Sequence, residues 1–241
     1  MVSCDNSMPP ALFGPSRTFL DIVTPERWKA LVAGLDRIRL PAHRSLMRQG
    51  TVGAQVMFVL NGVLRVDQIG GGSEDRWRLR NFRRCGDVLG DLAVLGSGVR
   101  TASVTTCTEC EMALMPGELF RGADFRSEYG LELAEYIAGR EREAQMLSRP
   151  GDDLARVACV LVPLLGDRRT AEQAADGIRL KVSRKDIAGC LGIGPRALRR
   201  ITAELPFGGT PEGRRKLLVV ADPAGLRAAA ERLGGRYPQV G

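Results

Sequence analysis

The chain has 241 residues, of which 44% are apolar and 26% charged, with a net charge of +7. These proportions suit one or two folded domains and exclude a disordered or fibrous chain. No apolar run approaches the length needed to cross a bilayer, which excludes a membrane-spanning helix. The first ten residues lack a basic segment followed by an apolar one, so a cytoplasmic protein is expected. A single histidine, His43, and six scattered cysteines argue against His-based metal sites, Ser-His or Cys-His catalysis and a disulfide framework. No catalytic and no metal-binding residue is assigned, and no enzyme is expected.

The charge is unevenly distributed. Residues 1–150 carry 19 Lys and Arg against 18 Asp and Glu, whereas residues 151–241 carry 16 against 10. A nearly neutral N-terminal part is therefore followed by a basic one, as expected of a polyanion binder.

Residues 1–18 read as a flexible tail. Thr24-Pro25-Glu26 opens a helix, with Thr24 as N-cap and Pro25 in the first turn. From Ile38 to Pro116 the pattern changes to short strands with turn punctuation, which predicts a small β barrel or sandwich. Within it, Val56–Leu60, Asn61-Gly62 and Val63–Val66 predict a hairpin with a tight turn. Residues 77–82 alternate as a strand, and Ala102–Met115 reads as two more. A long helix follows to Leu147, and Pro150-Gly151 reads as a hinge.

Lys181–Leu205 reads KVSRKDIAGCLGIGPRALRRITAEL. Ser183 and Asp186 resemble a capping box, and Ile187, Ala188 and Leu191 form the inner face of a first short helix. Gly192 permits a tight turn, and Pro195 opens a second helix that turns Leu198, Ile201 and Leu205 inward. This is helix-turn-helix spacing. Arg196, Arg199 and Arg200 are left outward for base edges, with Ser183 and Arg184 at the start of the first helix also assigned to DNA. Gly208-Gly209 and the run Arg214-Arg215-Lys216 before Leu217–Val220 read as a wing whose cations hold phosphates.

With these motifs in order, the chain resembles the Crp/Fnr family of bacterial transcription factors over roughly residues 19–222. The most specific stretch is Gly86-Asp87-Val88-Leu89-Gly90-Asp91, followed by Arg100-Thr101-Ala102, which resembles the family's phosphate-binding cassette. The resemblance implies an α+β fold with an N-terminal cyclic-nucleotide-binding-like β-roll at 19–125. A dimerisation helix and hinge at 126–150 and a winged helix-turn-helix domain at 151–241 follow. It implies an effector site at Gly90, Asp91, Arg100, Thr101 and Ala102, and a homodimer held through Leu133, Tyr136 and Ile137. Two departures stand out. The cassette glutamate that holds a ribose is Asp91 here, and the positions of the adenine-holding Thr-Ser pair fall near Glu141 and Arg142. The effector expected is therefore a small anion or nucleotide other than cyclic AMP. The expected partners are double-stranded DNA with a pseudo-palindromic site, a second copy of the chain and RNA polymerase, with no membrane. The competing expectation is a small-molecule-binding module that docks on a protein through its basic domain. Cys107-Thr108-Glu109-Cys110 is a lone CxxC on strands, where positions three apart face opposite ways.

Overall fold

The computed structural model describes residues 17–69, 77–148, 153–166, 170–191, 193–204, 211–212 and 217–234. Two short helices come first, α1 (Phe19–Ile22) and α2 (Pro25–Val32). Thr24 caps α2 by accepting a hydrogen bond from the Arg27 amide, with Pro25 in the first turn, as its sequence requires. Strands β1 (Asp36–Leu40), β2 (Ser45–Met47), β3 (Gln55–Asn61), β4 (Val63–Ile69), β5 (Trp77–Arg84) and β6 (Val88–Leu89) follow, then α3 (Asp91–Leu95), β7 (Ser103–Thr106), β8 (Cys110–Pro116) and α4 (Gly117–Arg121).

These strands form two antiparallel sheets, ordered β1-β8-β3-β6 and β2-β7-β4-β5. Met57 and Val59 of β3, Leu64 and Val66 of β4, Val104 and Met112 meet in one apolar core between the sheets. The alternate residues of β3, Val56 and Phe58, face the other way and pack against the helices with Phe19, Trp28 and Phe120. A strand covered on both faces needs an unbroken apolar run, which explains Val56-Met57-Phe58-Val59.

The Asn61-Gly62 hairpin is a correction. β3 and β4 lie in different sheets, so Gly62 is a corner between layers rather than a turn between paired strands. Its φ of 92° is the left-handed value that favours glycine, and a Cβ there would overlap the Glu109 carbonyl and Cys110 Sγ. Local turn chemistry specifies the reversal but not which sheet receives the next strand.

Helix α5 (Ala123–Ser148) runs 26 residues along the roll. Beyond it lie α6 (Asp153–Leu165), β9 (Ala171–Ala174), β10 (Gly177–Ser183), α7 (Arg184–Leu191), α8 (Pro195–Glu204), β11 (Pro211–Glu212), β12 (Leu217–Val220) and α9 (Pro223–Gly234). The four strands pair as β11-β12-β10-β9. Leu161, Leu164, Leu180, Ile187, Leu198, Leu218 and Leu226 form the core of this second unit. Val63, Phe82 and Cys107, from the outer face of the roll, belong to the same cluster, so the two units share an apolar seam. Cys110, the first residue of β8, lies instead in the core between the sheets, whereas Cys107 lies in the connection after β7, so the CxxC does not run along one strand as its sequence suggested. Among the described residues no helix is long and apolar enough to cross a membrane, and no cluster of three or more metal-ligating side chains occurs.

Candidate functional site

A cavity of about 350 Å³ opens between the cassette, β4 and α5. Met47, Val66, Leu89, Val104 and Ile137 supply apolar wall, and Arg83, Arg100 and Arg140 bring three cations to it. The expected effector residues Gly90, Asp91, Arg100, Thr101 and Ala102 all line it. Gly90 N-caps α3 with φ 81°, a left-handed turn that leaves room for an arginine against its Cα.

Arg100 is 7% exposed. Its Nη1 donates to the Gly90 carbonyl at 3.2 Å and its Nη2 to the Gln55 carbonyl at 2.9 Å. Among the described residues no carboxylate lies within ion-pair distance of it. Burial accordingly pulls its pKa below the ordinary arginine value, with Asp91 opposing from a distance. A desolvated cation held only by carbonyls favours the arrival of an anion.

Asp91 is occupied otherwise than the resemblance implies. It is 2% exposed, and both oxygens face the Arg140 guanidinium: Nη2 pairs with Oδ2, and Nη1 reaches Oδ1 at 3.3 Å. Arg140 also donates to the Val88 carbonyl at 3.2 Å and lies 4.6 Å over the Tyr136 ring. The carboxylate expected to face an effector is thus spent on α5. Glu141 lines the cavity as expected, but Arg142 is exposed and does not. The residues facing in from α5 are Ile137, Arg140, Glu141 and Ala144, one helical stripe.

Sequence reasoning missed Arg140 and Arg83. Arg83 is 7% exposed and pairs with Glu143 at 3.4 Å. The available signal was position: Arg140 and Glu143 continue the buried stripe of Tyr129, Leu133 and Tyr136 at helical spacing, where a charge must find a partner.

The three residues assigned to dimerisation are a second correction. Leu133 and Tyr136 are 7% and 1% exposed within the single chain, packed in the cluster that holds Phe19 and Phe58, and Ile137 packs beside them and lines the cavity. Tyr136 donates to Asp87 Oδ1 at 2.8 Å and accepts from the Val88 amide at 3.0 Å. An apolar stripe on a helix faces whichever surface covers it, and here that is the chain's own roll. The outward stripe of α5 carries Leu131, 82% exposed, with Ala134 and Ala138 exposed along it.

In the second unit, Arg196, Arg199 and Arg200 stand exposed on α8, while Leu198, Ile201 and Thr202 are buried behind them. The Ser183 hydroxyl accepts from the Asp186 amide at 3.1 Å and donates to Asp186 Oδ2 at 2.6 Å, so it serves as the cap of α7. Arg184 is half-buried, and its pKa is lowered first by burial and then by the nearby Arg199 charge. Gly192, Leu205, Gly208, Gly209, Arg214, Arg215 and Lys216 lie outside the described residues, as do residues 1–16 and the Pro150-Gly151 segment.

Residues 37–123 match the family model of the cyclic nucleotide-binding domain. The chain is 24% identical over 219 residues to the CRP-like cAMP-activated global transcriptional regulator of Mycobacterium tuberculosis, covering 86% of this chain and 94% of that protein. A solved structure of a Crp/Fnr-family transcriptional regulator from Thermus thermophilus is similar at TM-score 0.64 and 19% identity, covering 81% of this chain and 98% of that one. The c-di-GMP responsive global regulator CLP of Xanthomonas campestris is similar at TM-score 0.61 and 22% identity, covering 83% and 100%. Pocket and fold together define a cyclic-nucleotide-binding-type β-roll joined through a long helix to a winged helix. Residues 37–123 are thus a match to the cyclic nucleotide-binding domain, and the chain as a whole is similar in sequence to a CRP-like transcriptional regulator and in fold to a Crp/Fnr-family one.

Proposed function

We propose that the protein is a homodimeric transcriptional regulator that binds double-stranded DNA in the cytoplasm and responds to an anionic effector other than cyclic AMP. The observation that carries DNA binding is α8, where three arginines stand exposed on a helix whose other face is buried in its domain. An arginine fork matches the N7 and O6 acceptors of guanine in the major groove. Arg214, Arg215 and Lys216 are proposed to hold phosphates, with Arg184 at the start of α7 assisting. The division into a tail at 1–18, a sensor at 19–125, a helix and hinge at 126–150 and a reader at 151–241 belongs to the same reading.

Arg100 supports the anionic effector, with Gly90, Thr101 and Ala102 around it. The Asp91–Arg140 pair argues against cyclic AMP, because a paired carboxylate has little left to accept from a ribose hydroxyl. The dimer is proposed to form through the exposed Leu131, Ala134 and Ala138 stripe in place of Leu133, Tyr136 and Ile137. RNA polymerase is the proposed protein partner, supported by the relatives being transcriptional regulators.

Genome-wide DNA capture with the purified protein tests this reading. Enrichment of a pseudo-palindrome with half-sites about one helical turn apart supports it. Absence of any enriched sequence, with an effector still bound, would transfer the basic domain to a protein partner.

A further inference from the structure

The second unit is held to the roll by more than the apolar seam. Arg65 on β4 donates from Nε to Asp67 Oδ2 at 2.8 Å and pairs through Nη1 with Asp186 Oδ1 at 3.2 Å. Asp186 sits in the first turn of α7, and its other oxygen accepts from Ser183, the cap of that helix. The side chains of Asp67 and Asp186 are 11% and 9% exposed, and that of Arg65 is 26% exposed. One guanidinium therefore spans two nearly buried carboxylates, one on each unit. Around it, Val63, Phe82 and Cys107 of the roll pack in one cluster with Ile187, Ala188 and Leu191 of α7.

The strand that carries this contact also carries the cavity. Side chains alternate along β4, so Val63, Arg65 and Asp67 face the helix-turn-helix while Leu64, Val66 and Gln68 face the roll interior. Val66 and Gln68 line the effector cavity. The paired strand β5 does the same, with Phe82 in the seam and its neighbour Arg83 in the cavity wall. Helix α7 and the effector cavity thus lie on opposite faces of one strand pair.

We propose that Arg65 is a positioning residue for DNA reading. Through Asp186 it fixes α7, and with it α8, at a set orientation on the sensor domain, so that the two reading helices of a dimer match one half-site spacing. This rests on the DNA-binding reading above, and it makes a sensor-domain arginine that touches no base a determinant of which operators are bound. Arg65 holds the orientation; Arg196, Arg199 and Arg200 hold the sequence.

The test uses the full chain as wild type, Arg65→Gln, Arg65→Lys, Asp186→Asn and the double variant Arg65→Gln with Asp186→Asn. A site selected by the wild-type protein from a random duplex pool is rebuilt with its spacer lengthened or shortened by one and two base pairs. The expected result is that Arg65→Gln loses about five-fold of the wild-type preference for the native spacer, an ordinary coupling for residues in one ion-pair network. Discrimination against single-base changes within a half-site stays at its wild-type value. Asp186→Asn matches Arg65→Gln, the double variant adds nothing further, and Arg65→Lys falls between. A spacer profile of Arg65→Gln that superimposes on the wild type overturns the proposal. If the wild type selects no sequence at all, the DNA reading has failed and the latch is judged on the DNA-free protein. There, amide exchange of Ile187–Leu191 must quicken in Arg65→Gln, and unchanged protection overturns it.

Discussion

Asp91, at the start of α3, presents both carboxylate oxygens to the guanidinium of Arg140, which reaches it from α5 across 49 residues of chain. The two side chains are 2% and 12% exposed, so each is the main compensation for the other's lost hydration. Arg140→Met leaves a buried carboxylate unpaired and is expected to destabilise the chain by about 3–5 kcal/mol. Adding Asp91→Asn to that variant should recover a large part of the loss. Urea unfolding of the two single variants and the double one measures this, and strictly additive losses would show that the pair is not coupled.

Arg100 has no such carboxylate, and its two carbonyl contacts leave its charge uncompensated. Calorimetry of the ligand-free protein with cyclic AMP and cyclic GMP should show no binding at micromolar concentration. Micromolar binding of either that Arg100→Ala abolishes would mean that Asp91 releases Arg140 to admit a ribose.

Leu131 stands 82% exposed on the outward stripe of α5. Covering a leucine is worth roughly 1.5–3 kcal/mol on each protomer. Leu131→Asp should therefore sediment as a monomer at micromolar concentration with its unfolding midpoint little changed. Tyr136→Ala should do the reverse, lowering stability because Asp87 Oδ1 and the Val88 amide both lose their buried partner.

Replacing an arginine that is bidentate to guanine removes about 1–3 kcal/mol of discrimination at one base position. Arg200→Ala should thus relax sequence preference while keeping much of the non-specific affinity. Lys216→Ala should weaken all DNA alike and reduce the salt slope by about one. Titrations on selected and random duplexes at several salt concentrations separate the two effects, and identical behaviour of both variants would remove the distinction.

Asp87 is buried, and that burial raises its pKa above the ordinary 3.8 against the opposing pull of Arg83 and Arg84. A carboxyl with a raised pKa binds more protons folded than unfolded, so its contribution to stability grows as pH falls into that window and is lost as pH rises through the raised value. The stability of the wild type relative to Asp87→Asn should therefore increase as pH is lowered from 7 towards 4. A difference that shrinks over that range would show Asp87 held in the ionised form.

Much of this architecture can be read from residues alone because the signals are local. Thr24-Pro25 opens a helix, Ser183 caps α7, and the inward spacing of Leu198 and Ile201 sets the outward face of α8. The misreadings come from what local pattern leaves open. An apolar stripe on α5 says that something covers Leu133 and Tyr136, but the same stripe suits a partner helix and the chain's own roll equally well. Asn61-Gly62 specifies a reversal without naming the sheet that follows. β9, β10 and α9 give weaker patterns than the helix-turn-helix they surround. The partner of Asp91 could not be found by aligning a cassette, since it arrives from another element through packing.

Two glycines, Gly53 and Gly90, form the mould in which the Arg100 guanidinium lies. A Cβ on Gly53 would overlap Arg100 Nε and Cζ, and one on Gly90 would overlap Nη1. Gly53 lies before β3, outside the cassette that sequence comparison would examine, yet one methyl group there evicts the cation from its seat. Gly53→Ala is consequently a means of blinding the sensor while every charge in the cavity wall remains. Such a protein would report what the reader does when no message can arrive.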